Sequence, residues 1–255
     1  MMSAQRVQQA LMMSAFLLLA GKASAQTVVA TSPQTGQSSW NAEASVGWDV
    51  NVSGAFLAAG IGTLEQSAAV INAQSFGDVY GTGVLWQFGG GYMVDEINEV
   101  RGQVSYQRAG SDIVNLGTAN GTDLVATFDD YKSWTIEAGY RHFFATRDVR
   151  LRPYGGATVG VAIINEIDAV FAAPQGGITR SATDFYDGTA ALSFGVNAGA
   201  LYAVNNRYDF HAQFGLRFNS GLSQIDSLRG TGLEGINDKS SRWTLPISIG
   251  IRVNF

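Results

Sequence analysis

Charged side chains recur at alternate positions within otherwise apolar segments, and they are the residues with the clearest chemical potential. Because successive side chains of a strand point to opposite faces, each charge would share one face with small or polar neighbours. Such a face supports either a salt-bridged plug that compensates buried charge or a narrow, gated path for ions. The candidate network is Glu43, Arg101, Glu137, Arg141, Arg152, Asp209, His211, Arg217 and Arg252, with Asp49 as a further member.

Catalytic interpretations of these residues have little support in the sequence. The two histidines are His142 and His211, and His211 could pair with Asp209 or Glu137, although a structural hydrogen bond is the simpler role. A membrane-embedded lipid hydrolase needs Ser, His and an acid together at a lipid-facing surface. The segment that ends at Phe218 faintly resembles a deacylase strand, but no histidine follows it. An omptin-like protease needs paired acids and a histidine at the outer rim, and neither histidine is predicted to lie there. We therefore expect a non-enzymatic protein without a cofactor.

Acidic residues in the predicted outer connections form a second candidate site. The pair Asp129-Asp130, together with Asp184 and Asp187, could bind Ca²⁺ or contact the cations that bridge lipopolysaccharide. Their spacing is irregular, so solvated acids are the simpler interpretation and no metal site is predicted. The chain has no cysteine, which excludes disulfides and thiolate metal ligands.

The first 25 residues have the pattern of a secretory signal peptide. Arg6 supplies a positive charge, residues 11–20 are apolar, and Ala23-Ser24-Ala25 is an A-x-A cleavage site. A flexible lead-in is expected over 26–38. Removing Arg6 and Lys22 from the 16 basic residues leaves 14 against 21 acidic residues, a net charge of −7. So acidic a protein is unsuited to nucleic acid, whose phosphates attract basic patches.

Eight segments alternate apolar and polar residues with the period of two that predicts strands. They are Trp40–Asn51, Tyr80–Val94, Glu99–Arg108, Tyr131–Phe144, Arg150–Ile163, Thr189–Val204, Arg207–Phe218 and Trp243–Phe255. Long connections follow the first, third, fifth and seventh segments, and short ones follow the others. This pattern predicts an all-β, eight-stranded antiparallel up-and-down transmembrane β-barrel over 39–255, with the apolar face toward lipid. A soluble sandwich is disfavoured because its core would not accept an inward row of charges.

The connections carry their own predictions. Thr63–Gln74 could form a short helix with Thr63 as N-cap, and Val52–Ile61 could be extended. If residues 52–79 hold an extra hairpin, the barrel would have ten strands. Residues 109–129, 164–188 and 219–241 are predicted to be loops, and Asn205-Asn206 suits a type I′ turn.

Closure of the barrel predicts one specific ion pair. The last strand must pair with the first, and both polar faces point inward, so Arg252 should lie near Glu43. Counting from the short turns places six of the charges low in the barrel: Glu43, Arg101, Arg141, Arg152, Asp209 and Arg252.

The export signal, the eight strands and the terminal Phe255 after alternating apolar residues resemble the OmpA-like, or opacity-type, outer-membrane barrels of the porin family. Residues 151–160 (LRPYGGATVG) and Gly139-Tyr-Arg141 resemble strands common in that group. The resemblance implies outer-membrane localisation in a Gram-negative cell envelope, with Phe255 read by the barrel assembly machinery. It implies outer-membrane lipid, lipopolysaccharide and an extracellular ligand of the four long loops as partners. A structural or surface-interaction role is expected, with a narrow channel as the alternative.

Overall fold

The structure is a computed structural model that describes residues 39–224, 228–237 and 241–255. The predicted signal peptide and lead-in, residues 1–38, lie outside the described residues. The described parts contain no helix long and apolar enough to cross a membrane.

The described chain is almost entirely strand. In chain order the strands are β1 (Trp40–Ser53), β2 (Ala55–Leu57), β3 (Gly60–Leu64), β4 (Ser67–Ile71), β5 (Gln74–Ser75), β6 (Gly83–Met93), β7 (Asn98–Ala109), β8 (Val114–Ala119), β9 (Thr122–Phe128), β10 (Tyr131–Phe143), β11 (Leu151–Ile164), β12 (Ile167–Ala173), β13 (Ile178–Asp187), β14 (Thr189–Ala203), β15 (Tyr208–Asn219), β16 (Ser223–Gln224) and β17 (Arg242–Asn254). A four-residue helix, α1 (Phe76–Val79), precedes β6, and a 3-10 turn (Pro174–Gly176) follows β12.

Eight of these strands form a closed antiparallel barrel, which we call the lower barrel. Its neighbours run in the order β1, β6, β7, β10, β11, β14, β15, β17, and β17 pairs with β1 to close the wall. The predicted eight-stranded antiparallel fold is confirmed. The strand bounds agree with those expected from the sequence to within a few residues, because the period of two is strong in these segments.

The outer surface of the lower barrel is an apolar belt bounded by two groups of aromatic residues. One group, near the short turns, includes Trp40 and Tyr92, whose ring centroids are 4.9 Å apart. The other is near the opposite end and consists of Trp86, Tyr106, Trp134, Phe194, Phe218 and Trp243. Between the two groups the outward-facing positions of the eight strands hold apolar residues or glycine, except for His142 on β10 near the short-turn edge. From Trp134 on β10 to Phe144 just after it, the ten residue steps span about 33 Å, or about 25 Å of vertical height at a strand tilt of about 40°.

The long connections continue the barrel upward rather than forming irregular loops. A second sheet runs in the order β16, β13, β12, β9, β8, β4, β3. Residues 228–237 contact both ends of this sheet: the Thr63 N–H of β3 donates to Thr231 O at 2.7 Å, and Asn237 Nδ2 donates to Phe185 O of β13 at 2.6 Å. We call this sheet with residues 228–237 the upper barrel.

The interior of the upper barrel is apolar. Thirty buried residues form one hydrophobic core there, drawn from all four long connections and the adjoining ends of the lower-barrel strands. Its centre is a cluster of eight aromatic side chains: Phe56, Phe76, Tyr80, Phe128, Tyr131, Phe171, Phe185 and Tyr186. Phe56 packs against four of these rings at centroid distances of 5.0 to 5.3 Å. The upper barrel is therefore a packed plug without a lumen.

The predicted helix over Thr63–Gln74 is wrong. Residues 60–71 form the β3–β4 hairpin, which turns at Glu65-Gln66 with φ angles of 47° and 71°. The hairpin is more favourable than a helix because it buries Leu64, Ala69 and Ile71 together in the upper core. The hairpin expected for a ten-stranded barrel does exist, but it lies above the lower barrel, whose wall keeps eight strands.

Two further predictions are corrected. The stretches 109–129 and 164–188 contain the hairpins β8–β9 and β12–β13, because their alternate apolar residues are buried in the upper core. The type I′ turn at Asn205-Asn206 is also wrong, since neither residue has the positive φ that this turn requires. The Asn205 side chain instead accepts hydrogen bonds from the N–H groups of Arg207 and Tyr208, both at 2.9 Å.

Candidate functional site

The lumen of the lower barrel holds three stacked layers of charged residues, and these layers contain all nine predicted network residues except His211. All nine face the lumen, as their parity along the strands predicts, and their side chains are buried or nearly so. From the short-turn end upward, the lower layer is built around Glu43, the middle layer around Glu137 and the upper layer around Arg242.

Glu43 on β1 is the centre of the lower layer. Arg141 on β10 forms a bidentate pair with its carboxylate: Nη1 donates to Oε1 at 2.6 Å and Nη2 donates to Oε2 at 3.1 Å. Arg101 Nη2 lies 3.1 Å from Oε2. Such charge-assisted, two-point bonds are the strong kind. They cross the lumen, since β10 and β1 are not neighbours in the wall.

The predicted seam pair is present in the lower layer. Arg252 is the cross-strand partner of Glu43, and its Nη1 lies 3.5 Å from Glu43 Oε1. Its closer partner is Glu99, with Nη1 to Oε2 at 2.6 Å. Asp209 lies near both Arg252 and Arg152, at 3.7 Å from Arg252 Nε and 3.4 Å from Arg152 Nη2. The layer thus combines four guanidinium groups with three carboxylates, a net charge of +1.

The middle layer centres on the Glu137 carboxylate. It accepts hydrogen bonds from Gln103 Nε2 at 2.6 Å and Arg217 Nη2 at 3.0 Å. The hydroxyls of Thr158 and Ser193 donate to its other oxygen at 3.3 and 3.4 Å. With one acid and one base, this layer is neutral and fully bonded.

The upper layer pairs Asp49 with Arg242. Arg242 Nη2 donates to Gln107 Oε1 at 2.7 Å and lies 3.4 Å from Asp49 Oδ2. Its guanidinium also sits 4.1 Å from the centre of the Tyr131 ring, a cation–π contact that joins the charged lumen to the upper core. Arg242 and Glu99 were not among the predicted network residues. Glu99 lies on the polar face of its predicted strand, so the period of two indicates that it faces the lumen. Arg242 lies one residue before the predicted last strand, so that pattern does not include it.

Apolar side chains share the level of the lower layer, since Met93 is the cross-strand partner of Glu99 and Leu201 is the cross-strand partner of Arg152. Met93, Phe143, Tyr154 and Leu201 form a second buried cluster at the short-turn end. Arg141 stacks over the Tyr154 ring at 4.2 Å and Arg152 over the Phe143 ring at 4.9 Å. Apolar side chains therefore pack among the charges of the lower layer, and the upper core covers the charged layers from above.

The histidines do not form a catalytic pair in the described residues. His211 is buried in the lumen, and no described carboxylate accepts a hydrogen bond from either ring nitrogen. His142 lies at the short-turn end, where its Nδ1 is 2.9 Å from Asn98 Oδ1. These positions separate both histidines from the outer acids.

The predicted outer acids are dispersed. Asp130 pairs with Arg108 at 2.6 Å, and Asp168 accepts a hydrogen bond from the Asp184 N–H at 2.7 Å. Within the described residues, no three His, Asp or Glu side chains are grouped so that they could hold a metal ion.

Two groups of the upper barrel have shifted pKa values. Burial raises the pKa of Tyr80 well above its usual range. Backbone N–H groups, including those of Gly230 and Gly232, lower the pKa of Glu234.

A cavity of about 550 Å³ opens in the wall where β1, β2, β5 and α1 meet. Val52, Ala55 and Leu57 line one side, and Gln74 and Asp78 line the other. It lies at the height of Trp243, the cross-strand partner of Ser53, so it marks the boundary between lower and upper barrel.

Comparison with known proteins yields similarity to solved structures only. No protein-family model matches the chain, and no curated protein matches it. Among solved structures, Neisserial surface protein A shares 18% identity, with 86% of this chain and 99% of that chain covered and a TM-score of 0.43. OprG from Pseudomonas aeruginosa shares 13% identity, with 86% and 98% covered and a TM-score of 0.45. Ail of Yersinia pestis shares 11% identity, with 84% and 98% covered and a TM-score of 0.36.

Proposed function

We propose that this chain is a non-conducting, non-enzymatic outer-membrane barrel that holds its upper barrel above the membrane as a surface for interaction. The observation that carries the proposal is the upper barrel, a seven-stranded sheet that wraps a core of thirty buried residues together with residues 228–237. That one feature blocks the lumen from above and also projects from the membrane.

The membrane location is supported by the apolar belt. Its height of about 25 Å equals that of the apolar band of outer-membrane barrels, and aromatic residues lie at both of its edges. A soluble protein rarely exposes a contiguous apolar patch of more than a few hundred Å². The predicted signal peptide, the likeness to OmpA-like or opacity-type barrels and the role of Phe255 in insertion belong to the same proposal.

The absence of conduction is supported by the sequence of layers along the barrel axis. An ion that entered from the short-turn side would meet the lower layer with its apolar neighbours, then two further salt-bridged layers, then the upper core. Burying an unpaired ion in an apolar region costs many kcal/mol, so a packed apolar plug is an effective barrier. The charged layers are better suited to holding the wall strands together across the lumen.

The surface role is supported by the height and charge of the upper barrel. β11 and β12 together carry the chain through 23 residues, from Leu151 to Ala173, or about 75 Å along the strand. This is more than twice the length of the belt. Among the described residues, eleven acidic and four basic ones lie on or near its outer surface, a net charge of −7, which favours cationic partners beside the lipopolysaccharide that surrounds it.

Planar-bilayer recording tests the proposal directly. We expect the reconstituted chain to give no unitary current steps at neutral pH. Glu137→Gln and Arg217→Gln should be equally silent, with insertion verified by heat-modifiable gel mobility. Unitary steps whose size changes when Glu137 or Arg217 is neutralised would overturn the proposal and favour the narrow channel that the sequence leaves open.

The orientation has its own test, because the chain contains no cysteine. Glu65→Cys, at the tip of the β3–β4 hairpin, should react with a membrane-impermeant maleimide on intact cells. Asp95→Cys, in the short turn between β6 and β7, should react only after the outer membrane is permeabilised. The reverse labelling pattern would refute the orientation.

A deletion tests the surface role. Replacing Val114–Phe128, the β8–β9 hairpin, by a short turn should leave the lower barrel heat-modifiable. We expect it to weaken adsorption of a basic probe protein to cells that display the chain. Unchanged adsorption would place the interaction elsewhere.

A further inference from the structure

Two basic residues sit side by side on the outward face of the wall, immediately above the apolar belt. Arg108 on β7 and Lys132 on β10 are direct cross-strand partners. Two residues below them on the same strands, Tyr106 and Trp134 form a pair with ring centroids 4.9 Å apart. Interfacial aromatic rings of this kind mark the depth of the lipid head groups. The two cations therefore stand at head-group depth.

This placement is unusual for the chain. Of the basic residues that the structure describes, six line the lumen and three lie near the short turns. Only Arg108, Lys132, Arg180 and Arg229 remain for the outer half, and two of these four are cross-strand neighbours. Like charges directly opposite each other destabilise a strand pair. The rest of the outer surface is acidic, so general solubility does not explain a local concentration of positive charge.

Internal pairing neutralises only one of the two cations. Arg108 donates from Nε and Nη2 to Asp130, at 2.8 and 2.6 Å, which fixes the guanidinium and leaves its remaining N–H groups facing outward. The Lys132 ammonium has no ion pair among the described residues. The trio of Arg108, Lys132 and Asp130 thus keeps a net charge of +1. Exposed Asn165, immediately after β11, extends the row, and its backbone N–H donates to Lys132 O at 3.1 Å.

We propose that Arg108 and Lys132 bind a phosphate group on the head group of an outer-leaflet glycolipid, with its acyl chains against Tyr106 and Trp134. A guanidinium offers a planar set of donors for phosphate, and an ammonium adds a point charge on a long stem that reaches the head-group layer from the apolar surface. The wall cavity at the same height has no basic residue in its lining and carries Asp78, so it does not suit an anion. This inference rests on the membrane orientation proposed above.

The test measures lipid retention by the full chain in detergent micelles. Diphosphorylated lipid A is added to the wild type and to Arg108→Gln/Lys132→Gln, and bound lipid is counted by native mass spectrometry. Arg180→Gln/Arg229→Gln is the matched control, since it removes the two other outer basic residues that the structure describes. We expect the first pair of substitutions to lower the apparent affinity about tenfold or more and the control to leave it unchanged. Lipid A without phosphates should bind all three proteins equally weakly.

Three results would overturn the inference. Equal retention by the wild type and Arg108→Gln/Lys132→Gln would do so, as would an equal loss in the control. Displacement of lipid A by millimolar inorganic phosphate would show a free-anion site in place of a lipid site. Lys132→Gln alone, at a residue without an internal ion pair, covers the case in which the double variant fails to fold. Unitary conductance or reversed cysteine labelling would count against the proposed function and would not change lipid counts.

Discussion

Charge balance in the lower layer predicts that removing an acid and removing a base have very different costs. Glu43→Gln leaves four guanidinium groups with two carboxylates, a net charge of +2. Arg152→Met leaves three of each and makes the layer neutral. Arg152 has only one long contact, 3.4 Å to Asp209, and its Nη1 has no hydrogen-bond partner.

The magnitude follows from the contacts of Glu43. Its carboxylate has four contacts with three arginines, at 2.6, 3.1, 3.1 and 3.5 Å. A buried hydrogen bond to a charged group contributes about 1.5–3 kcal/mol, and breaking a buried ion pair from one side costs about 3–5 kcal/mol. We expect Glu43→Gln to lower the free energy of unfolding by about 4 kcal/mol. For Arg152→Met we expect a change within about 1 kcal/mol, since methionine keeps the packing against Phe143.

Urea unfolding from lipid vesicles measures both values. All five tryptophans lie on the outward-facing surface of the wall, which the proposed function places in lipid, and they should report the loss of that environment: Trp40, Trp48, Trp86, Trp134 and Trp243. With a slope of about 2 kcal/mol per molar urea, Glu43→Gln should shift the midpoint by about 2 M. Glu96→Gln, in the exposed turn, is the control. Equal shifts for Glu43→Gln and Arg152→Met would refute the charge-balance argument.

Three further predictions concern the upper barrel and the turns. Gly62→Val should open the upper seam, because a Cβ atom there would lie 2.3 Å from Thr231 O. Gly81→Val is the control, since a Cβ atom at Gly81 would have no atom within 4 Å. Limited proteolysis should cut near residues 228–237 only in Gly62→Val, and equal resistance of the two variants would contradict the seam. Glu65→Asn/Gln66→Gly should stabilise the β3–β4 hairpin by about 1 kcal/mol, because both positions have positive φ angles, which asparagine and glycine adopt more readily. Slower amide exchange at Ala68 and Ala69 would report this stabilisation. Unchanged exchange would count against strain at this turn. Hydrogen bonds from the Asn98 side chain and the Ile97 N–H lower the pKa of Asp95. This carboxylate therefore stabilises its turn above the ordinary aspartate pKa of about 3.9, and the stabilisation is lost as the pH falls through the lower folded value. Amide exchange at Ile97 should accelerate over that acid range in the wild type but not in Asp95→Ala, and identical pH profiles would refute the role.

The lower barrel could be predicted from the sequence because each wall strand repeats its apolar positions over ten or more residues. The upper barrel could not, because β3, β4, β8 and β9 have five to seven residues each, too few for a clear period. Thr63–Gln74 also satisfies helix-start rules, and only the shared core contributed by three other connections makes the strand the better solution.

The lumen charges could be predicted by parity, and the pair Arg252–Glu43 by the need to close the wall. The shorter ion pairs across the lumen could not be predicted from the sequence. Arg141 reaches Glu43 across the lumen from a strand that is not its neighbour, 98 residues away in sequence. Such contacts depend on the stagger of the strands and the barrel diameter, which no local pattern encodes.

The seam between Thr63 and Thr231 has a consequence for the order of assembly. It joins the first long connection to the last, 168 residues apart, and the core beneath it draws on all four connections. Such distant segments meet only after the intervening chain is in place, because closing a long loop costs entropy before any contact offsets it. The upper barrel therefore becomes native late, together with the pairing of β17 and β1, whose partners are even further apart in sequence. A ligand that recognises the folded upper barrel would select completed molecules and ignore those whose wall is still open.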